Sequence, residues 1–471
     1  MNKTIFITTS IPYVNSDPHL GHTLEAVQTD ALARFYQSQG DDVYALTGTD
    51  DNAIKNVEAA EKAGLPIQEF VDQKAARFND LAKVYDLHFN QFIRTSGDKH
   101  KKGAEKFWKL CEKDIYKKTY TGLYCVGCET FYKDGEHPGN ICPLHNRPLE
   151  EVSEENYFFA LSRYTDMLSD LIKSDKLHVA PASKKTELLN MIENGLDDFS
   201  VSRPATRAKG WGVPVPGDES QMMYVWFDAL TNYITALDFA GDQKLYDKYW
   251  VNADKRIHII GKDIIKFHAL YWPAMLASAE QPLPTDLFVH GFMTVDGVKM
   301  SKSIGNVIDP FALVDAYGVD PVRYYLLREI PALDDGDFSY NRMGEIYNAD
   351  LANELGNLLS RLTTIASKDE LELSTTKGER NEKVEALFES YQFHSALESI
   401  WEEVKVLNRE VNEFEPWAKS ASERAEFLKN ALTKIHGIGL MLIPVMPQTA
   451  QKIVNATDGK IAKSPPLFPR M

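Results

Sequence analysis

Thr4-Ile5-Phe6-Ile7-Thr8-Thr9 is an apolar, β-branched run, and after Pro18 apolar side chains recur at helical spacing from Thr23 through Tyr36. The pattern predicts a strand, a turn and a helix. Alternation of this kind fills residues 1–114 and returns over 206–336, where residues 256–260 predict a strand and 264–276 a helix. It predicts a doubly wound (Rossmann-type) α/β domain, a parallel sheet with helices on its faces. Residues 115–205 interrupt the alternation with a β-rich piece carrying all but one of the cysteines, followed by helical patterns over 161–174 and 184–195. They are expected to form an insertion that splits the domain. Over 337–471 strand signals nearly vanish, and residues 342–367, 381–393, 393–413 and 422–442 predict an all-α helical bundle. The last twelve residues, with three prolines, predict a terminal strap.

Length and composition narrow the class. The 471 residues suffice for two or three domains, and 44% hydrophobic with 25% charged residues is a globular balance. No apolar run reaches the length of a membrane span, and the N-terminus leads straight into a strand, so a cytoplasmic protein without a membrane partner is expected. A formal net charge of -16 weighs modestly against a nucleic-acid partner. It does not exclude a local basic track on an acidic enzyme.

Three clusters carry candidate chemistry. Pro18-His19-Leu20-Gly21-His22 sits where strand passes into helix: Gly21 allows close backbone approach, the helix start attracts an anion, and His19 and His22 share a face from which both can donate to phosphate oxygens. Lys299-Met300-Ser301-Lys302-Ser303 follows a predicted hairpin turn at 294–298, and a loop there can swing Lys299 and Lys302 onto a leaving pyrophosphate. Cys125-x-x-Cys128, thirteen residues, then Cys142-x-x-His145 has the spacing of two chelating pairs closing a tetrahedron, with zinc the expected, structural occupant. Cys111 stands alone and is expected to pack in the core.

The first two motifs, with Thr8-Thr9-Ser10-Ile11-Pro12-Tyr13, Leu46-Thr47-Gly48-Thr49-Asp50, Tyr224-Val225-Trp226-Phe227-Asp228-Ala229, Phe288-Val289-His290-Gly291, Asn353-Glu354-Leu355-Gly356-Asn357-Leu358, Glu415-Pro416-Trp417 and Leu467-Phe468-Pro469-Arg470, resemble the methionyl-tRNA synthetase family of class I aminoacyl-tRNA synthetases over nearly the whole chain. The resemblance implies activation of methionine by ATP, with magnesium, followed by transfer to the 3′ end of the methionine tRNAs, initiator included. It implies that Ile11 and Tyr13 border the methionine side chain, Trp226 and Tyr233 wall it, Ala229 and Leu230 floor it, His290 contributes, and Asp50 takes the ammonium. Gly261 and Asp263 would meet the nucleotide sugar. Asn357, Arg361, Pro416 and Trp417 would contact the anticodon. His145 stands where relatives often carry a fourth cysteine, and Asn52 and Ala53 depart from the usual His-Gly. The chain ends where longer relatives continue into a dimerising module, so a monomer is expected. Two rivals stand beside this reading: a class I enzyme for cysteine or a branched amino acid, and a catalytically silent RNA-binding paralogue.

Overall fold

Strand Thr4–Thr9 is buried at all but its first position, as a strand covered on both faces must be. In the computed structural model, which describes residues 2–125, 130–132, 138–143, 146–300, 305–374 and 381–470, it lies within a six-stranded sheet. Asp42–Thr49 and then Gln91–Arg94 flank it on one side; Lys255–Gly261, Asp286–His290 and His178–Ala180 follow on the other. Ile5 lies opposite both Val43 and Lys255 in parallel register. The chain therefore winds outward from Thr4–Thr9 in one direction and later in the other. Ligands of such sheets sit beyond the C-terminal strand ends where the order reverses. Residues 10–13, Asp50 and residues 261–263 follow three of those ends.

The stretch 115–205 is not a single insertion. Ile115–Cys125 pairs antiparallel with Glu150–Phe159, from Ile115 opposite Phe159 to Tyr124 opposite Glu150, and this ribbon belongs to a separate four-stranded sheet. The helices Thr165–Lys173 and Ala182–Glu193 flank His178–Ala180, which pairs in parallel with Asp286–His290 and completes the large sheet. Three residues are too few to carry a periodic signal, so this strand had none to read.

The chain forms two compact units, and their boundary also differs from the expected one. Residues 1–18, 42–82 and 88–289 form the first; residues 19–41, 83–87 and 290–471 form the second. The second thus begins its C-terminal share at His290 rather than at 337, and it includes the helix Leu20–Ser38. A buried charge explains that membership. Arg323, with no exposed surface, donates to the Asp30 carboxylate at 2.6 Å and to the carbonyls of Val445 and Pro444 at 2.8 and 3.0 Å. Phe35 stacks on Phe388 nearby in the same helix's contact face, with centroids 5.1 Å apart. The second unit's long helices include Phe393–Phe414 and Ala421–Leu442.

Candidate active site

In the second unit, His19 caps the helix Leu20–Ser38 in an unusual way. Its Nδ1 accepts from Gly21 N–H at 3.1 Å, while the Nδ1 of His22 accepts from His19 N–H at 3.3 Å. Both imidazoles thus serve as cap acceptors through Nδ1, which leaves each Nε2 as the protonated nitrogen. The rings stack with centroids 3.8 Å apart. Gly21 makes room for this: a Cβ there would lie 3.0 Å from His19 Cε1. The His22 pKa is held well below its ordinary 6.5, first by enclosure in protein and then by the neighbouring imidazoles of His19 and His290. A neutral donor results.

That shift has a measurable sign. Below about 6.5 the unfolded chain takes up a proton that folded His22 refuses, so its contribution is full above that pH and declines as pH falls towards the lowered value. Between about pH 7.5 and about pH 5.5 the wild-type Tm should fall further than that of His22→Asn. Equal falls would show that another group titrates.

The histidine and lysine motifs belong to the same unit. A Cβ on Gly21 would sit 3.9 Å from Met300 Cε, which places the start of the Lys/Ser motif against the helix cap. Lys299 ends the short strand Val298–Lys299, antiparallel to Met293–Val295 across a turn in which Asp296 and Gly297 both have positive φ. Lys302 lies outside the described residues. His290 is buried with both ring nitrogens engaged, one by the Gly291 carbonyl at 2.8 Å and one by the Glu25 carboxylate at 2.9 Å. Both ring nitrogens are thus spent within the protein.

In the first unit, Tyr13 and Asp50 stand side by side in a parallel bridge, and Asp50 N–H donates to the Pro12 carbonyl at 2.9 Å. Asp50 is buried; its Oδ1 accepts from Asn52 N–H at 3.1 Å and Thr95 Oγ1–H at 3.2 Å. Trp226, on the helix Val225–Leu230, lies flat on Phe267 at 3.8 Å, and its buried Nε1 has no hydrogen-bond partner among the described residues. Leu230 and Tyr233 belong to the adjoining core, against which Ile11 packs, and Ala229 is buried as well. Two neighbours escaped the sequence reading. Phe267 stacks with Trp226, and His268 Nδ1–H donates to the Ile264 carbonyl at 3.0 Å, so its Nε2 accepts from Tyr233 O–H at 2.7 Å. The signal was the helical spacing of Ile264 and His268 just after Gly261. Gly261 ends its strand buried, and Asp263 is exposed in the turn that follows.

Cys125 and Cys142 are both buried. Cys125 closes its strand, and Cys142 heads a turn in which Asn146 N–H donates to the Cys142 carbonyl and Cys142 N–H to the Arg147 carbonyl, each at 2.8 Å. Cys128 and His145 lie outside the described residues. Cys111 is buried in the core, its thiol pushed up by that burial.

Among the C-terminal helices, the Arg361 guanidinium lies 5.1 Å from the Trp417 ring centroid and donates to Asn412 Oδ1 at 2.7 Å. Trp417 is 51% exposed, while Pro416 beside it is buried. Asn357 is exposed one turn before Arg361. Next to this face opens a cleft of 590 Å³ lined by Arg361, Lys405, Arg409, Asn353, Asn412 and Glu354 among others. An exposed indole with the Arg361 guanidinium on its ring, next to a cleft that sets Lys405 and Arg409 among Glu354 and Glu413, suits a stacked base.

Residues 5–148 and 139–363 match the family described as tRNA synthetases class I (M). The methionine–tRNA ligase of Brucella suis is 40% identical over 96% of this chain and 91% of its own length. That of Clostridium acetobutylicum is 38% identical over 100% of this chain and 78% of its own. Mycobacterium tuberculosis methionyl-tRNA synthetase in complex with methionyl-adenylate superposes with a TM-score of 0.91 at 36% identity, covering 99% of this chain and 100% of that one. Its free state gives 0.84 at 33% identity, with 100% and 99% covered. By family match, end-to-end identity and fold, the chain belongs to the class I tRNA synthetases of the methionine type, the methionine–tRNA ligases.

Proposed function

We infer that the chain joins methionine to tRNA in two steps. A carboxylate oxygen of methionine attacks the α-phosphorus of ATP, giving methionyl-adenylate and pyrophosphate; a hydroxyl of the terminal tRNA ribose then attacks the carbonyl carbon and AMP leaves. The observation that carries this is the stacked pair of Nε2–H donors at a helix start with Met300 packed beside it. Positioning and charge stabilisation then suffice for the first step. His19 and His22 meet the phosphates, which Gly21 lets come close, Lys299 and Lys302 meet the departing pyrophosphate, and magnesium arrives with ATP. Gly261 and Asp263 take the ribose. Asp50 neutralises the ammonium; Ile11, Tyr13, Trp226, Ala229, Leu230 and Tyr233 enclose the thioether, with His268 and the ring of His290 added. ATP–pyrophosphate exchange across a panel of amino acids tests the reading. Exchange with methionine is expected; exchange driven by cysteine or isoleucine, or none at all, would sink it.

The anticodon platform is Asn357, Arg361, Pro416 and Trp417. Removing the indole in Trp417→Ala should cost about 1–3 kcal/mol of stacking, about one to two orders of magnitude in kcat/KM for tRNA. Exchange without tRNA serves as the control. Unchanged charging would remove Trp417 from the platform.

Cys125, Cys128, Cys142 and His145 suit zinc, since the two described thiols are buried at a strand end and in a tight turn. The metal would cross-link the ribbon and take no part in the reaction. Metal analysis should find one zinc per chain, and a chelator should lower Tm. A metal-free protein with an unchanged Tm would refute the site. A monomeric, cytoplasmic enzyme completes the reading; among the described residues no helix is long and apolar enough to cross a membrane.

A further inference from the structure

Asn52 has no part in the site as the family resemblance draws it, yet it occupies a junction. Its side-chain amide spends both hydrogens, one on Asp228 Oδ2 at 2.7 Å and one on the Thr95 carbonyl at 3.1 Å. Asp228 is buried, so its carboxylate needs donors on both oxygens. The second is His100 Nε2–H, 2.8 Å from Oδ1. Fully buried His100 then reaches Thr235 Oγ1 through Nδ1 at 2.9 Å. Thr95, at the other end, places its hydroxyl on Asp50 Oδ1.

These bonds join three elements. Asp228 lies on the helix that carries Trp226, Ala229 and Leu230; Thr235 is two residues beyond Tyr233; Asn52 and Thr95 hold Asp50. We propose that Asn52, Asp228 and His100 are positioning residues for the amino-acid site, fixing the distance between the ammonium-binding carboxylate and the walls that receive the thioether. None of the three needs to touch methionine. A shared, water-poor network of this kind transmits a one-atom loss to every group it holds. The proposal rests on Asp50 and Trp226 being methionine-binding residues.

Exchange kinetics of the full chain provide the test, with methionine and ATP varied in turn. Asn52→Ala and His100→Leu should each raise KM for methionine about tenfold and leave KM for ATP within about twofold. His100→Gln, which returns a donor to Asp228, should recover most of the loss. Asp50→Asn is the reference. If it raises KM for methionine while Asn52→Ala does not, the network is not a positioning device; if Asp50→Asn leaves KM unchanged, the underlying site reading fails instead. Parallel changes in both KM values, or His100→Gln behaving like His100→Leu, would also overturn the proposal. Should His100→Leu not fold, Asn52→Ala decides.

Discussion

Arg323→Ala is expected to destabilise the second unit by about 3–5 kcal/mol, the cost of breaking one side of a buried ion pair. The guanidinium has no exposed surface, and its partner Asp30 is equally enclosed. Arg34 would still reach Asp30 at 2.7 Å, so the carboxylate keeps one cation. The carbonyls of Val445, Pro444 and Tyr85 keep nothing from this side chain, and each loses a charge-assisted donor. Arg323→Met, which fills much of the same volume, should recover part of the packing and little of the hydrogen bonding. Urea denaturation of both variants reads the difference. A loss below about 1 kcal/mol for alanine would mean the cation is effectively solvated and the helix Leu20–Ser38 is held by its apolar face alone.

His22→Ala is expected to slow adenylate formation by about 100- to 1,000-fold, the range seen when one preorganised donor to a developing charge is removed. Methionine KM should move little, because the donor acts on phosphate rather than on the amino acid. The residue has two tasks, and a second variant separates them. His22→Asn can still accept from the His19 N–H through its carbonyl oxygen, yet is too short to place a donor where Nε2 stands. If asparagine restores Tm and leaves the rate low, the imidazole is the catalytic group. If the rate returns with the Tm, its work was to cap the helix. Single-turnover measurement of the adenylate, free of tRNA, distinguishes these outcomes.

What could be read in advance was what is written locally. The strands around Ile5–Ile7 and Ile257–Ile260 and the C-terminal helices declare themselves by period, and the Asp296-Gly297 turn by composition, since both residues need positive φ. The histidine motif was legible because its members are three apart. Its tautomers were not: that Nδ1 is consumed by the cap depends on the dihedral angles of one turn. Contacts between distant residues were silent for a different reason. Arg323 and Asp30 are ordinary surface types in a helical pattern until folding brings them together, and His290 shows no sign of Glu25, 265 residues away. Asn52 looked like an erosion of a motif and proved to be a junction, because its partners Asp228 and His100 carry no signature that links them.

The strand His178–Ala180 limits how far the fold can be pruned. All five residues of its neighbour Asp286–His290 are buried, and this short piece pairs with the first three of them, Asp286 to Phe288. An enzyme shortened by the whole of 115–205 would present an apolar, unpaired edge to other molecules and should aggregate by strand addition. Cuts confined to the distal end of the ribbon leave that edge protected, so any natural or engineered variation in the length of this region has its tolerance there.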